Sequence, residues 1–270
     1  MPAQFISNDD QFHAFVRVVF SQIALKNGKG LNQPVNILVR TYSPGIQNVW
    51  IFHLIPRPGE VGHDTWPPDA HLTATGVMPW PGQSLDERRG ILYVATKTAE
   101  PDFYGGFRHG KNLFANSLVA LDAATGRRLW HFQIVHHDLL DKDLPCPPLL
   151  LTVTHGGRKI DAVAQGTKHG LLFVFNRITG ESLWPIEERP VPQSDLRDEQ
   201  AWPTQPFPTR PAPLMRQHYT TADVSQISPA AYTNTLDRIR ASPNFGPFPA
   251  PSLRETVINR KSTRLNSSHT

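Results

Sequence analysis

A repeated strand, turn and tryptophan unit constrains the fold of this chain more than any other feature of its sequence. One copy runs from Val119 to Trp130 and the second from Val174 to Trp184, with the two tryptophans 54 residues apart. Each copy combines an apolar strand, a turn led by Asp or Asn, a Thr-Gly pair, two polar residues and Leu-Trp. Glycine supplies the positive φ of a tight hairpin, and a period of about 50 residues is typical of four-stranded propeller blades. We expect each indole to pack against the neighbouring blade, and a fainter third copy ends at Trp50.

The rest of the central region also predicts strands and not helices. Short runs rich in β-branched and aromatic residues alternate with Asp- and Gly-rich turns. The 26 prolines among 270 residues are about twice the usual share, which disfavours a helical bundle. The fold class is therefore all-β, with predicted strands at Ile91–Thr96, Leu118–Leu121, Leu129–Val135, Ala162–Gln165 and Leu171–Phe175.

Composition excludes several classes of protein. The single cysteine excludes a disulfide framework within the chain, and no apolar run reaches the roughly 18 residues of a membrane helix. The net charge of +4 invites a nucleic-acid interpretation. Such binding needs clustered basic residues with interleaved aromatics, and no run of that kind stands outside residues 260–270, so we expect no nucleic-acid partner. Phe12 to Leu25 is compatible with an amphipathic helix or a strand.

Residues 185–251 are punctuated by prolines, and two interpretations compete. The segment is either a disordered linker or an ordered excursion that lies along a domain surface. The interleaved Trp202, Phe207, Phe245 and Phe248 favour docking. Ser228 to Arg240 predicts one helix, with Ser228 as the N-cap and Pro229 in the first turn.

The densest polar cluster, His136–Asp143, directly follows a predicted strand. Three interpretations remain open from the residues alone. Paired His and Asp can bind a metal, although no zinc-type spacing is present. An Asp at a strand end can act as a general base. The cluster can also be a polar loop whose Asp side chains cap turns.

Two further residues have both a structural and a chemical interpretation. Lys168, which opens the next strand, is either a solvated turn residue or a hydrogen-bond donor to an oxyanion or quinone oxygen. Trp80 stands between two prolines at a strand entry, where a rigid indole serves either as core or as a stacking platform.

Several motifs follow one another along the chain: Trp50-x-Phe52-His53-x-Ile55-Pro56-x-Pro58-Gly59-Glu60, Asp64–Pro67, Ser84–Gly90, Asp102–Gly106, Asn112–Leu118, Trp130–Asp138 and Pro203–Phe207. In this order they resemble the dehydrogenases that depend on pyrroloquinoline quinone (PQQ), and most of all their glucose dehydrogenase-like branch. The resemblance is dense from about Val49 to Pro208 and looser to Ile258.

The resemblance implies a fold, a cofactor and roles for three residues. The family fold is an eight-bladed β-propeller with PQQ near its axis. Asp141 matches the catalytic base, Lys168 the lysine that binds the quinone oxygens, and Trp80 the floor under the PQQ rings. A divalent cation, calcium or magnesium, accompanies PQQ, and its ligands here are unknown.

The same resemblance implies partners and a location. The substrate is a sugar or alcohol, glucose-like in the closest branch, and the electron acceptor is ubiquinone or a cytochrome. We expect a periplasmic protein whose parent can be membrane-associated. The alternative is a non-catalytic propeller scaffold with PQQ-type repeats, against which the presence of both Asp141 and Lys168 argues.

Some positions depart from the family pattern. Thr98 stands where the family often has an Asn cation ligand, Leu140 where Trp is common, and Phe107 and Lys111 where Asp is frequent. Length departs as well, because the chain holds about three of eight blades. The expectation is an incomplete β-propeller with a proline-rich excursion, inactive as a fragment.

Three regions follow from these observations. Residues 1–48 are an uncertain N-terminal segment, in which Asn36 to Trp50 resembles a degraded blade end. Residues 49–258 are the partial PQQ-binding-like propeller. Residues 259–270 resemble a translated sequencing adapter, so we expect them to be an artefact tail.

Overall fold

The computed structural model describes residues 16–17, 36–41, 47–217, 220–224, 226–241 and 246–253. Its strands are β1 (Val16–Arg17), β2 (Asn36–Thr41), β3 (Gln47–His53), β4 (Thr75–Gly76), β5 (Gln83–Asp86), β6 (Ile91–Ala95), β7 (Ala99–Glu100), β8 (Ser117–Asp122), β9 (Arg128–Gln133), β10 (Leu149–His155), β11 (Arg158–Gly166), β12 (Leu172–Asn176), β13 (Ile186–Pro190) and β14 (Thr204–Pro208). The α-helices are α1 (Ala70–Thr73) and α2 (Pro229–Ala241), with 3-10 turns at His63–Thr65 and Thr221–Asp223.

The strands form antiparallel sheets in chain order. Sheet 1 is β1-β2-β3, sheet 2 is β5-β6-β8-β9 and sheet 3 is β10-β11-β12, while β4-β7 and β13-β14 are two-stranded. All five predicted strands are present, each within a few residues of its expected bounds. The described residues do not close a ring of sheets, so the predicted incomplete all-β propeller is confirmed.

Alternation along β6 shows how the sheets stack. Leu92 and Val94 join a core that also holds Trp50 of sheet 1, whereas Ile91, Tyr93 and Ala95 face the other way. That second core includes residues of sheet 3, among them Val163, Phe173 and Phe175. Since side chains alternate between the faces of a strand, sheet 2 is buried on both sides between its neighbours.

Two tryptophans join successive sheets, as the repeat predicts. The Trp50 indole N–H donates to the carbonyl of Ala123 at 3.0 Å, and the Trp130 indole N–H donates to the carbonyl of Arg177 at 3.1 Å. Both acceptors are the second residue of the repeated turn. Each ring lies against the glycine of that turn, and a Cβ at Gly180 would come within 2.6 Å of Trp130.

Charged residues also connect sheets 2 and 3. Arg89 pairs with Asp86 at 2.8 Å and with Asp161, and Arg177 lies 3.3 Å from both carboxylates. Hydrogen bonds from Thr152 and Arg89 lower the pKa of Asp161 to about 2. Two arginines shared between two aspartates therefore tie sheet 2 to sheet 3.

The proline-rich segment is an ordered excursion and not a linker. Its hairpin β13-β14 packs back on the sheets, with Phe207 against the same core that buries Phe248. The predicted helix forms as α2, and the Ser228 hydroxyl accepts the amide of Ala231 at 3.1 Å as its cap. Phe245 lies outside the described residues.

Other expectations fall wholly or partly outside the described residues. Of Phe12–Leu25 the structure describes only β1, and neither residues 42–46 nor the 259–270 tail is described. Strand β2 pairs with β3 from Asn36 opposite His53 to Thr41 opposite Gln47, and Trp50 lies within β3, opposite Val39. The three region boundaries stay predictions. No helix among the described residues is long and apolar enough to cross a membrane.

Candidate active site

The polar cluster forms a buried loop directly after β9. Within it, Asp138 accepts the amides of Leu140 and Lys142, and the Asn116 side chain donates to the same carboxylate at 3.0 Å. Asp138 therefore caps the turns of the loop. No group of three His, Cys, Asp or Glu in the described part of the chain is arranged to hold a metal ion.

Asp141 and Lys168, 27 residues apart in sequence, meet in the structure. The Lys168 Nζ donates to Asp141 Oδ1 at 2.9 Å and to Asp143 Oδ2 at 2.8 Å. Burial opposes the charge of Lys168, but the hydrogen bonds to Asp143 and Asp141 outweigh it and raise its pKa. Two carboxylates thus share one ammonium, and Lys168 is not a solvated turn residue.

Asp143 is the residue that sequence reasoning missed. Its Oδ1 accepts the backbone N–H of Thr98 at 2.9 Å, which ties the loop to the segment after β6. Burial, together with the nearby Asp141 charge, raises the pKa of Asp143. The contact with a backbone amide 45 residues away leaves no signature in the sequence. The available signal was the spacing of Asp143 two residues after Asp141.

Trp80 follows a segment that is bonded, through its backbone, to the residue before Thr98. Two residues before it, the Met78 carbonyl accepts the Lys97 amide at 3.0 Å, next to Thr98. Half of the Trp80 surface is exposed, and among the described residues the indole makes no hydrogen bond or ring contact with Asp141 or Lys168. The exposure of the ring favours a stacking platform over a core position. The role of Trp80 as the floor under the PQQ rings stays a prediction.

The loop that contains Asp102–Gly106 packs onto the same cluster. Burial raises the pKa of Asp102, and the Asp141 charge adds to the effect. A Cβ at Gly105 would collide with His137 Nε2, so only glycine permits this contact. Burial lowers the pKa of His137 to about 3, and its Nδ1 lies 2.7 Å from the Gly110 carbonyl. His137 is therefore a neutral buried residue at neutral pH.

A family model of the PQQ type, described as the β-propeller domain of glucose, ethanol and alcohol dehydrogenases, matches residues 18–263. The chain belongs to this family. The match includes the loop with Asp141, the strand entry with Lys168 and both docking turns.

Individual PQQ-family relatives agree with this assignment. The quinoprotein glucose dehydrogenase of Escherichia coli K12 is 35% identical over 161 residues, 59% of this chain and 20% of the relative. That of Gluconobacter oxydans 621H is 34% identical over 222 residues, 78% of this chain and 26% of the relative. The quinohemoprotein alcohol dehydrogenase of Comamonas testosteroni shares the fold, with a TM-score of 0.50 and 23% identity over 65% of this chain and 28% of that one. The chain therefore spans about a fifth to a quarter of the length of these curated relatives.

The residues present fit a PQQ-type quinone. An ammonium has three donors, and Lys168 uses two of them on Asp141 and Asp143. One donor remains for a quinone oxygen, and the exposed Trp80 offers a planar face. The described residues show no site for the expected divalent cation, although the buried Thr98 Oγ1 has no hydrogen-bond partner among them.

Proposed function

We propose that this chain is part of a PQQ-dependent dehydrogenase that oxidises a hydroxyl group of its substrate. The observation that carries the proposal is the pairing of Asp141 with Lys168 in a chain that belongs to this family. A non-catalytic scaffold has no use for a carboxylate and an ammonium held together in this way.

Each residue has a distinct task in this proposal. Lys168 orients Asp141 by holding its Oδ1, and the oriented carboxylate accepts the proton of the substrate hydroxyl. When bound, PQQ supplies the acceptor for the hydride of the substrate carbon that bears this hydroxyl. The remaining Lys168 donor would bind a quinone oxygen and stabilise negative charge there, and Trp80 would offer its ring face to the cofactor.

The substrate, acceptor and location are also proposals. Relatives are quinoprotein glucose dehydrogenases, a glycerol dehydrogenase and a quinate dehydrogenase. We propose a sugar or polyol substrate, glucose-like in the first instance, with ubiquinone or a cytochrome as acceptor and a periplasmic location. We propose further that residues 1–270 alone are inactive. In the family propeller other blades supply part of the pocket wall, and residues 1–270 do not contain them.

Asp141→Asn in the full-length protein loaded with PQQ tests the main proposal. Loss of the base is expected to lower kcat about 10²- to 10⁴-fold, measured as dye reduction with glucose, glycerol and quinate. Asp198→Asn is the matched control, because Asp198 also has a positive φ but its side chain is 69% exposed. An Asp141→Asn protein as active as this control would refute the proposal, and turnover by residues 1–270 at the full-length rate would refute the inactive fragment.

A further inference from the structure

The entry of the Asp141 loop is held by a side chain from the excursion. Gln205, in β14, is 4% exposed and lies beside His136, where the chain leaves β9. Its Oε1 accepts the His136 amide at 2.8 Å, and its Nε2 donates to the His136 carbonyl at 2.6 Å. One amide side chain thus pairs with both backbone groups of one residue, as a neighbouring strand would.

The two hydrogen bonds between Gln205 and His136 follow directly after the last backbone hydrogen bonds of the β8-β9 pair. The last backbone bond between the ends of β8 and β9 runs from the Ile134 amide to the Asn116 carbonyl at 2.8 Å. Beyond it the His137 amide donates to the Lys111 carbonyl at 3.1 Å, and the Asp138 carboxylate holds the following turn. Gln205 is therefore the side chain that fixes the backbone between β9 and the turn that carries Asp141.

Gln205 is itself held in place by its own hairpin. Its neighbour Thr204 donates a hydroxyl to Glu188 Oε2 at 2.7 Å across β13-β14. The other oxygen of Glu188 lies 3.0 Å from His136 Nε2. The hairpin thus holds both the ring and the backbone of His136. The position of His136 is therefore set by residues outside the Asp141 loop.

We propose that Gln205 is a positioning residue for Asp141, and that the β13-β14 hairpin is thereby part of the catalytic apparatus. The proposal rests on the proposed function and adds a residue that acts through the His136 backbone without touching the substrate. A displacement of about 1 Å in a reacting group can lower a rate about 10²-fold, so a fixed loop entry matters to kcat.

Two variants of the full-length holoenzyme test it. Gln205→Met keeps the length of the side chain but removes both hydrogen bonds, and we expect kcat to fall about 10- to 100-fold with KM and cofactor content unchanged. Hydrogen exchange of the loop amides, followed by mass spectrometry, should rise. Gln193→Met is the matched control, since the exposed Gln193 side chain, among the described residues, donates only to the nearby Val191 carbonyl.

Gln205→Glu supplies a signature that a merely structural role lacks. The carboxylate form has no donor for the His136 carbonyl, whereas the neutral acid restores the donor and the acceptor. Its activity relative to wild type should recover as pH falls through the pKa of the introduced carboxyl group, which burial and the Glu188 charge raise. The charged and titratable groups around this position are His136, His137, Asp138, Lys111, Glu188 and Arg189.

The outcomes separate the two proposals. An inactive wild type, or an Asp141→Asn variant with normal activity, overturns the proposed function. Normal activity of Gln205→Met alongside an inactive Asp141→Asn overturns the positioning role alone. Unchanged loop exchange overturns it whatever the activity, and so does a Gln205→Glu protein without recovery in acid. A fall in kcat in Gln205→Met but not in Gln193→Met, together with recovery of Gln205→Glu in acid, supports it.

Discussion

Trp130 and Trp184 occupy the same place in two copies of one repeat, yet their surroundings differ. Trp130 is 7% exposed, donates to the Arg177 carbonyl and lies against Gly180. Trp184 is only partly buried and packs edge-on against His155, with ring centres 5.3 Å apart. Its indole N–H has no hydrogen bond among the described residues.

The turns before these tryptophans, by contrast, are nearly identical. The amide of Gly126 donates to the Asp122 carbonyl and that of Gly180 to the Asn176 carbonyl, both at 2.8 Å. The two glycines have φ of 72° and 76°. The hairpin is therefore encoded locally, whereas burial of the tryptophan depends on the next sheet. Substitutions of the tryptophans and of the turn residues test this difference.

Trp130→Ala should have the largest effect on stability. Removing a buried Trp side chain costs about 3–5 kcal/mol, and here it also leaves the Arg177 carbonyl without its indole donor. Trp184→Ala should cost about 1–2 kcal/mol, because less surface is buried. Urea unfolding of both variants of the chain measures the difference. Equal losses would mean that docking adds nothing to the repeat.

Gly180→Ala should come next, with Gly157→Ala as its control. Both glycines have φ of 76°, but a Cβ at Gly180 meets Trp130 whereas Gly157 has nothing within 4 Å. Each alanine costs about 1–2 kcal/mol for the left-handed backbone, and only Gly180→Ala adds the collision with the indole. We expect a further loss of about 1–3 kcal/mol in urea unfolding.

A double variant isolates the contact itself. Once Trp130→Ala has removed the ring, Gly180→Ala should cost no more than Gly157→Ala does in the wild-type chain. If the extra cost of Gly180→Ala persists without the indole, the collision is not its source, and the close approach of ring and glycine would lose its role in sheet stacking.

The sequence predicts those parts of the fold that depend on neighbouring residues in the chain. Five strands, both docking turns and the helix cap follow from alternation and turn chemistry. Strands β13 and β14 do not, because β14 contains Pro206 and Pro208. Those prolines are tolerated because, in the described part of the chain, β13 and β14 pair only with each other, so their outer edges need no backbone N–H for a further strand.

The site is less visible from the sequence than the fold. The roles of Asp141, Lys168 and Trp80 come from the family resemblance, and the structure adds the contact between the first two. Asp143 and Gln205 bind backbone groups of Thr98 and His136, which lie 45 and 69 residues away. Backbone N–H and C=O groups are the same in almost every residue, so a contact with them leaves no recognisable motif in the sequence.

Asp122→Asn should have the smallest effect, and it probes the first residue of the turn, which is Asp122 in one copy and Asn176 in the other. The Thr125 hydroxyl, and then the Thr125 and Ala124 amides, donate to Asp122 and lower its pKa. Stability from such a carboxylate is present above the ordinary Asp pKa of 3.8 and is lost as pH falls through the folded value. Asn176 holds its turn with an amide oxygen and has no such dependence.

The asparagine variant should therefore match wild type within about 0.5 kcal/mol at pH 7 and lose less stability as the pH falls below that ordinary Asp value. The reciprocal Asn176→Asp should gain acid sensitivity, but less than Asp122 has, because the Thr179 hydroxyl donates to Glu181 instead. Urea unfolding from neutral to acidic pH compares all three proteins. If Asp122→Asn followed the wild-type acid profile, the Asp122 carboxylate would not be what distinguishes the two turns.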